Sequence, residues 1–246
     1  MLNGHPPNLG SELECEPLMD THLLWLRLSE ADSLPAGSLD AATLDRAQGM
    51  SATRRQSYLA GRRLLALGLA HFYGMAVCPE LMLGEHGRPG FADPALPDFS
   101  LSHSGDYLAL VLGAGPLGLD IEQYRPRRNL QRLLESVLSP VEQQWLAAEG
   151  DELAGFYHLW TLREAILKAS GRGLAGLSRL QLLPGEQRLL TSEVVPGCLR
   201  TATLSQLALA LYGPAVSTVS CWQWQASGGF VSAELDWQRS YRVEAS

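Results

Sequence analysis

The run GLDIE at 118–122 alternates small or apolar residues with acidic ones, and the two-residue strand period sets the carboxylates of Asp120 and Glu122 side by side on one face. Adjacent carboxylates repel and favour a cation, although a solvated strand face accommodates the same pattern. A third carboxylate comes from residues 156–170, where Trp160, Glu164 and Lys168 recur at i, i+4 and i+8 and therefore share a helix face. Lys168 is the one lysine among 19 basic residues. Arginine holds its proton near neutral pH, whereas lysine releases it when its surroundings lower its pKa, so a site needing proton donation as well as charge retains lysine. Three carboxylates without His or Cys at ligand spacing make an all-oxygen set suited to Mg²⁺, with Mn²⁺ as the alternative.

Mg²⁺ commonly bridges substrate phosphates, and guanidinium groups bind phosphate oxygens well. The candidates are Arg55, Arg62 and Arg63 on one helix and Arg88 in GRPG, with some of them serving only as solubilising charge. Arg62 and Arg63 point about 100° apart, so only one need face a site. His103, in FSLSHSG at 99–105, fits a strand end that hydrogen-bonds a phosphate or a capped, buried histidine. A Ser-His hydrolase does not fit, since Ser102 and Ser104 project away from the ring and no GxSxG elbow exists. The GxGxxG formed by Gly113, Gly115 and Gly118 is rejected as a dinucleotide fingerprint, because Pro116 and the alternation that follows lead into a strand instead of a helix.

These groups must be positioned by a chain of 246 residues, 46% hydrophobic, with net charge −7. That length suits one large domain or two small lobes. The acidic balance argues against duplex nucleic acid as a partner. Four scattered cysteines suit neither a disulfide framework nor a CxxC site. With no basic start followed by an apolar run and no membrane-length apolar stretch, the expectation is a cytoplasmic protein. Residues 1–20 read as a loose arm and 22–28 as a buried strand. Residues from Ser51 to Gly74 form an amphipathic helix bearing arginines, and 84–99 is a Gly/Pro-rich loop. SLSHS, YLALVLG and GLDIEQY look like an antiparallel meander. Arg125 to Arg128 make a basic break between lobes at 21–125 and 126–246. Ser139, Pro140 and Glu142 form a capping box, 152–174 is a long helix closed by glycines, and strands follow. Both halves carry helix and antiparallel strands in similar amounts, which predicts a pseudo-duplicated α+β fold.

In their order and spacing, FSLSHS at 99–104, GLDIE at 118–122 and FYHLWTLREAILKASGRGL at 156–174 resemble the Sfp-type 4′-phosphopantetheinyl transferases. Gly87-Arg88-Pro89 and Tyr58-Leu-Ala-Gly61-Arg62 fall where that family has its GRP/GKP loop and upstream helix, so the resemblance spans roughly residues 54–174. It implies a pseudo-twofold α/β monomer binding coenzyme A and Mg²⁺ between its lobes. Such an enzyme moves the 4′-phosphopantetheine arm to a serine of an acyl, aryl or peptidyl carrier protein and releases 3′,5′-ADP. By the same resemblance, Asp120, Glu122 and Glu164 hold the metal on the pyrophosphate. Lys168 contacts the phosphates and protonates the leaving ADP, and Glu164 is the base for the carrier serine, directly or through water. Ser102 and His103 contact CoA phosphates, with Arg62 and Arg88 on the 3′-phosphate side. Arg163 stands where the family usually spells lysine, a change tolerated if the position only supplies charge.

Two other classes compete. A Mg²⁺-dependent nuclease would use carboxylates and a lysine, but PD-(D/E)xK enzymes set acid and lysine two apart on a strand, whereas Glu164 and Lys168 are four apart on a helix. A non-catalytic module that binds CoA or carrier proteins is the other. For carrier docking, the expectation is apolar contact plus local arginines around 125–128.

Overall fold

The computed structural model describes residues 19–35, 39–214, 216 and 218–246. The arm expected over 1–20 lies outside the described residues except for its last two. Two main sheets account for most strands. The first runs, in spatial order, β12 (Gly229–Ala233), β11 (Val219–Gln225), β1 (Thr21–Arg27), β5 (Tyr107–Gly113) and β4 (Asp98–Ser104). The second runs β6 (Gly118–Gln123), β10 (Leu207–Gly213), β9 (Gly197–Leu204), β13 (Trp237–Glu244), β8 (Arg188–Leu190) and β7 (Gln181–Leu183). A separate hairpin, β2 (Leu81–Leu83) with β3 (Pro89–Phe91), occupies part of the segment expected to be loop.

The central strands are continuously apolar because both of their faces are covered. Leu24, Leu26, Leu110 and Leu112 pack with Leu64, Leu65 and Leu69 of α2 (Ala52–Tyr73). Their neighbours Leu23, Trp25, Ala109 and Val111 meet Leu119, Ile121, Leu209 and Leu211 of the second sheet. Ala208, Ala210 and Tyr212 turn the other way, to Leu159, Leu162 and Ile166 of α5 (Glu152–Ser170). The layers are therefore helix, sheet, sheet, helix, an α+β fold whose halves repeat the same layering. Each leucine buried in this way contributes about 1.5–3 kcal/mol relative to exposure.

Local signals set the helix ends. Gly74 closes α2 in the left-handed conformation, φ 66°. At the start of α4 (Pro140–Glu149), Ser139 N donates to Glu142 Oε2 at 2.7 Å and Glu142 N donates to Ser139 Oγ at 3.4 Å, completing the capping box. The helix expected over 152–174 stops at Ser170, and a 3₁₀ turn over Gly173–Arg179 follows. Two short helices, α1 (Ala41–Gln48) and α3 (Leu130–Val137), complete the set.

The expected meander holds for its first turn only. β4 and β5 pair antiparallel, but β6 leaves to pair with β10, with Leu119 opposite Leu211 and Ile121 opposite Leu209. Alternation fixes the face each residue takes without choosing the partner strand. β11 and β12 return to the first sheet, where β11 runs parallel to β1. Sheet membership thus departs from the linear division at 125/126, since β6, β11 and β12 each join the sheet of the other half.

Candidate active site at the seam between the sheets

β4 and β6 are the facing edges of the two sheets, and side chains instead of a backbone ladder connect them. Ser100, Ser102 and Ser104 alternate along β4. Their Oγ atoms accept from the backbone N–H groups of Leu119 at 3.0 Å, Ile121 at 3.2 Å and Gln123 at 3.0 Å. Two of these hydroxyls also donate: Ser102 to Asp120 Oδ1 at 2.9 Å and Ser104 to Glu122 Oε2 at 2.8 Å. Three N–H groups on the β6 edge are thereby satisfied, and both carboxylates lie on the face opposite Leu119 and Ile121, which pack between the sheets.

α5 covers that face. It lies so close at Gly118 that a Cβ there would overlap the Ala165 carbonyl oxygen. This approach brings Lys168 Nζ to 2.7 Å from Asp120 Oδ1 and 2.7 Å from Ser102 Oγ. The Asp120 side chain is 5% exposed, and its Oδ2 is buried with no hydrogen-bond partner among the described residues. Burial raises the Asp120 pKa above the usual carboxylate range, opposed by Lys168 and by the bonds from Ser102 and the Ile121 N–H. Glu122 is raised by burial and by repulsion from Asp120, against the Ser104 bond. Glu164 is raised by burial, then by Asp120, with Glu122 adding to it and Lys168 opposing. The three carboxylates expected from sequence therefore sense one another. His103 is lowered by desolvation and by the Lys168 charge.

Among the described residues, no three His, Cys, Asp or Glu side chains are gathered in a group able to hold a metal ion. Asp120 is paired to Lys168 instead. The donor set still suits a hard divalent cation: the candidate donors are all oxygen, the Asp120 charge raises the pKa of both Glu122 and Glu164, and Asp120 keeps a buried oxygen with no partner among the described residues.

Lys168 lines one of two nearby clefts and is hydrogen-bonded to Ser102 in the wall of the other. One, of about 240 Å³, lies between the 86–89 loop and α5 and reaches Glu164, Lys168 and Gly171. The other, of about 220 Å³, lies between α2 and β4 and is lined by Arg54, Tyr58, Arg62, Ser102 and His103. Arg62 is held over the Tyr58 ring, 5.2 Å from its centroid, with Nη1 buried and unpartnered among the described residues. Arg62, and not Arg63, lines this cleft, and Arg55 is exposed. Arg54 is not marked out by the sequence motifs, although Arg54, Tyr58 and Arg62 repeat the i, i+4, i+8 spacing that singled out Lys168.

Arg88 lines the first cleft but is also tied into the fold. Its Nε donates to the Lys168 carbonyl at 2.9 Å. Its Nη2 donates to Asp98 Oδ2 at 2.6 Å and to the carbonyls of Leu117 at 3.0 Å and Phe99 at 3.3 Å. Asp98, which also accepts from Leu117 N at 2.6 Å, was not foreseen. Arg163 does more than supply charge: 6% exposed, it pairs with Glu142, itself 1% exposed. Of the basic break, Arg125, Arg127 and Arg128 are all exposed; Arg127 donates to the Tyr157 hydroxyl at 3.0 Å, and Arg125 donates to Gln123 Oε1 at 2.8 Å.

Comparison with known proteins agrees with this geometry. A family model described as the 4′-phosphopantetheinyl transferase superfamily matches residues 116–200, the span holding β6 and α5. The 4′-phosphopantetheinyl transferase AcpT of Salmonella typhimurium is 37% identical over 196 residues, covering 78% of this chain and 93% of that one. AcpT of Escherichia coli is 36% identical over 190 residues, covering 74% and 89%. The 4′-phosphopantetheinyl transferase of Bacillus subtilis is 33% identical over 122 residues, covering 48% and 53%. With the carboxylates of β6 and the Glu164–Lys168 face of α5 brought together at the seam, and with relatives matched over most of both chains, this chain belongs to the 4′-phosphopantetheinyl transferase superfamily.

Proposed function

We propose that the chain transfers the 4′-phosphopantetheine arm of coenzyme A to a serine of apo acyl or peptidyl carrier proteins, releasing 3′,5′-ADP, in a Mg²⁺-dependent reaction. The observation that carries this reading is Lys168, lodged between Asp120 and Ser102 with Glu164 one turn away, lining one cleft and hydrogen-bonded to Ser102 in the wall of a second. Asp120, Glu122 and Glu164 would hold the metal, which neutralises charge on the pyrophosphate. Ser102, His103 and Arg62 bind CoA phosphates. Arg88 holds the cleft wall and presents the remainder of its guanidinium to the 3′-phosphate side. Glu164 takes the proton of the carrier serine. The serine oxygen then bonds to the phosphorus that bears the pantetheine arm, and the bond from that phosphorus to the bridging oxygen breaks. The bridging oxygen leaves with 3′,5′-ADP and is protonated by Lys168 Nζ, so no covalent enzyme intermediate is needed.

The exposed Arg125 and Arg128, beside the site, suit an acidic carrier surface. No helix among the described residues is long and apolar enough to cross a membrane, and the reading is of a cytoplasmic monomer with no nucleic-acid partner. The test is to incubate the protein with CoA, Mg²⁺ and several apo carrier proteins and to weigh the carriers by mass spectrometry. A gain equal to one phosphopantetheine arm supports the reading. Unmodified carriers across the panel overturn it.

A further inference from the structure

The serines of β4 do two things at once, and the pattern is regular. Each accepts an N–H from β6 at a constant offset of nineteen residues: Ser100 from Leu119, Ser102 from Ile121 and Ser104 from Gln123. A hydroxyl that accepts from a backbone N–H has its own proton free for another acceptor, and the acceptor within reach is the side chain one residue earlier on β6. For Ser102 that is Asp120 and for Ser104 it is Glu122. For Ser100 the corresponding residue is Gly118, which has no side chain because the Ala165 carbonyl fills the space. The three rungs are thus equivalent in backbone bonding and differ in whether a carboxylate hangs from them.

Asp120 is oriented by two donors, Ser102 and Lys168. Glu122 has the Ser104 hydroxyl as its hydrogen bond and is pushed by Asp120. Side chains that orient metal ligands in this way commonly change metal affinity by 10–100-fold when removed.

We infer that Ser104 is a positioning residue for Glu122: its hydroxyl, fixed by the Gln123 N–H, holds the carboxylate in the orientation that receives a divalent cation. The inference rests on the proposed metal-dependent transferase, and the experiment separates the two. Ser104→Ala, Ser104→Thr and Ser100→Ala are prepared in the full chain. Mn²⁺ is titrated into each, with and without CoA, and free Mn²⁺ is read by electron paramagnetic resonance. Thermal unfolding in EDTA is measured in parallel.

Ser104→Ala is expected to weaken Mn²⁺ binding about tenfold or more, and Ser104→Thr, which keeps the hydroxyl, to restore it. Ser100→Ala loses the same kind of backbone bond without touching a carboxylate. It is expected to lower the unfolding temperature in EDTA about as much as Ser104→Ala while leaving Mn²⁺ affinity unchanged. In the transfer assay Ser104→Ala should raise the half-saturating metal concentration, with kcat at saturating metal much less affected. Equal Mn²⁺ affinity in wild type and Ser104→Ala overturns the role of Ser104 and leaves the transferase reading intact, as does a parallel loss in Ser100→Ala. Failure of the wild-type chain to bind Mn²⁺ in either condition overturns the metal reading together with this one.

Discussion

Removing the guanidinium of Arg163 should unfold the protein far more readily than its position beside the site suggests. Arg163 Nη2 donates to Glu142 Oε1 and Nη1 donates to the Leu159 carbonyl at 3.3 Å. Glu142 Oε2 at the same time accepts from Ser139 N, the cap of α4. In Arg163→Met, a carboxylate only 1% exposed keeps the cap bond and loses its counter-ion. Stripping one member from a buried pair costs about 3–5 kcal/mol, or roughly two to four powers of ten in the unfolding equilibrium. For a chain of this size that is a fall of about 6–20 °C in Tm. Arg163→Lys keeps the charge but gives up the Leu159 bond, at about 1–2 kcal/mol. Replacing both partners, Glu142→Met with Arg163→Met, removes the stranded charge and should recover most of the loss, short of about 1 kcal/mol for the broken cap. Urea unfolding followed by tryptophan fluorescence measures the wild type, these three variants and the Glu142→Met single variant that completes the cycle. A cost below about 1 kcal/mol for Arg163→Met, or a double variant as unstable as the sum of the singles, refutes a coupled buried pair.

Gly118→Ala drives a methyl group into the Ala165 carbonyl, which only a shift of α5 off β6 can relieve. Overpacking of this kind costs about 1–3 kcal/mol, and because Glu164 and Lys168 move with the helix, transfer activity should fall at least tenfold while the folded protein still accumulates. Wild-type activity in Gly118→Ala would mean that the helix-strand distance does not matter to the chemistry. A pH series tests the carboxylate cluster. Asp120, Glu122 and Glu164 have raised pKa values in the fold, so the folded state holds their protons more tightly than the unfolded chain does. Their contribution to stability is therefore favourable below the ordinary carboxylate range and is lost as pH rises through the raised values. A divalent cation offsets the cost of burying these charges, and the repulsion of Glu122 and Glu164 by Asp120, once the protons are gone. Mg²⁺ should accordingly raise Tm near neutral pH, and EDTA should abolish the rise, with little effect at about pH 4. An equal rise at both pH values would exclude these carboxylates as the metal's partners.

The chemistry-bearing residues were legible wherever a local period exposes them. Asp120 and Glu122 follow from strand alternation, Glu164 and Lys168 from helix spacing, and the Ser139–Glu142 box from a four-residue pattern. Partner choice was not legible, because β6 carries the same alternation whether it pairs with β5 or with β10. The serines of β4 look like any polar strand face until the opposing edge is known. Arg88 reads as a free cation in a glycine-proline loop, and only the fold supplies Asp98 and three carbonyls around it. Arg163 reads as a position that need only supply charge, since a buried counter-ion twenty-one residues earlier leaves no local mark.

The return of β11 and β12 to the first sheet, followed by β13 in the second, has a consequence for motion. The chain passes from one sheet to the other, back, and across again, and apolar side chains fill the space between the sheets throughout. Among the described residues, the two sheets are joined at several points along the chain, so no single linker separates two bodies that could swing. The site at the seam cannot be built like a hinged jaw that shuts on its substrate. Its width is a property of the packed interior, and adjustment falls to side chains and to the β2–β3 hairpin, whose residues 86–89 line the first cleft.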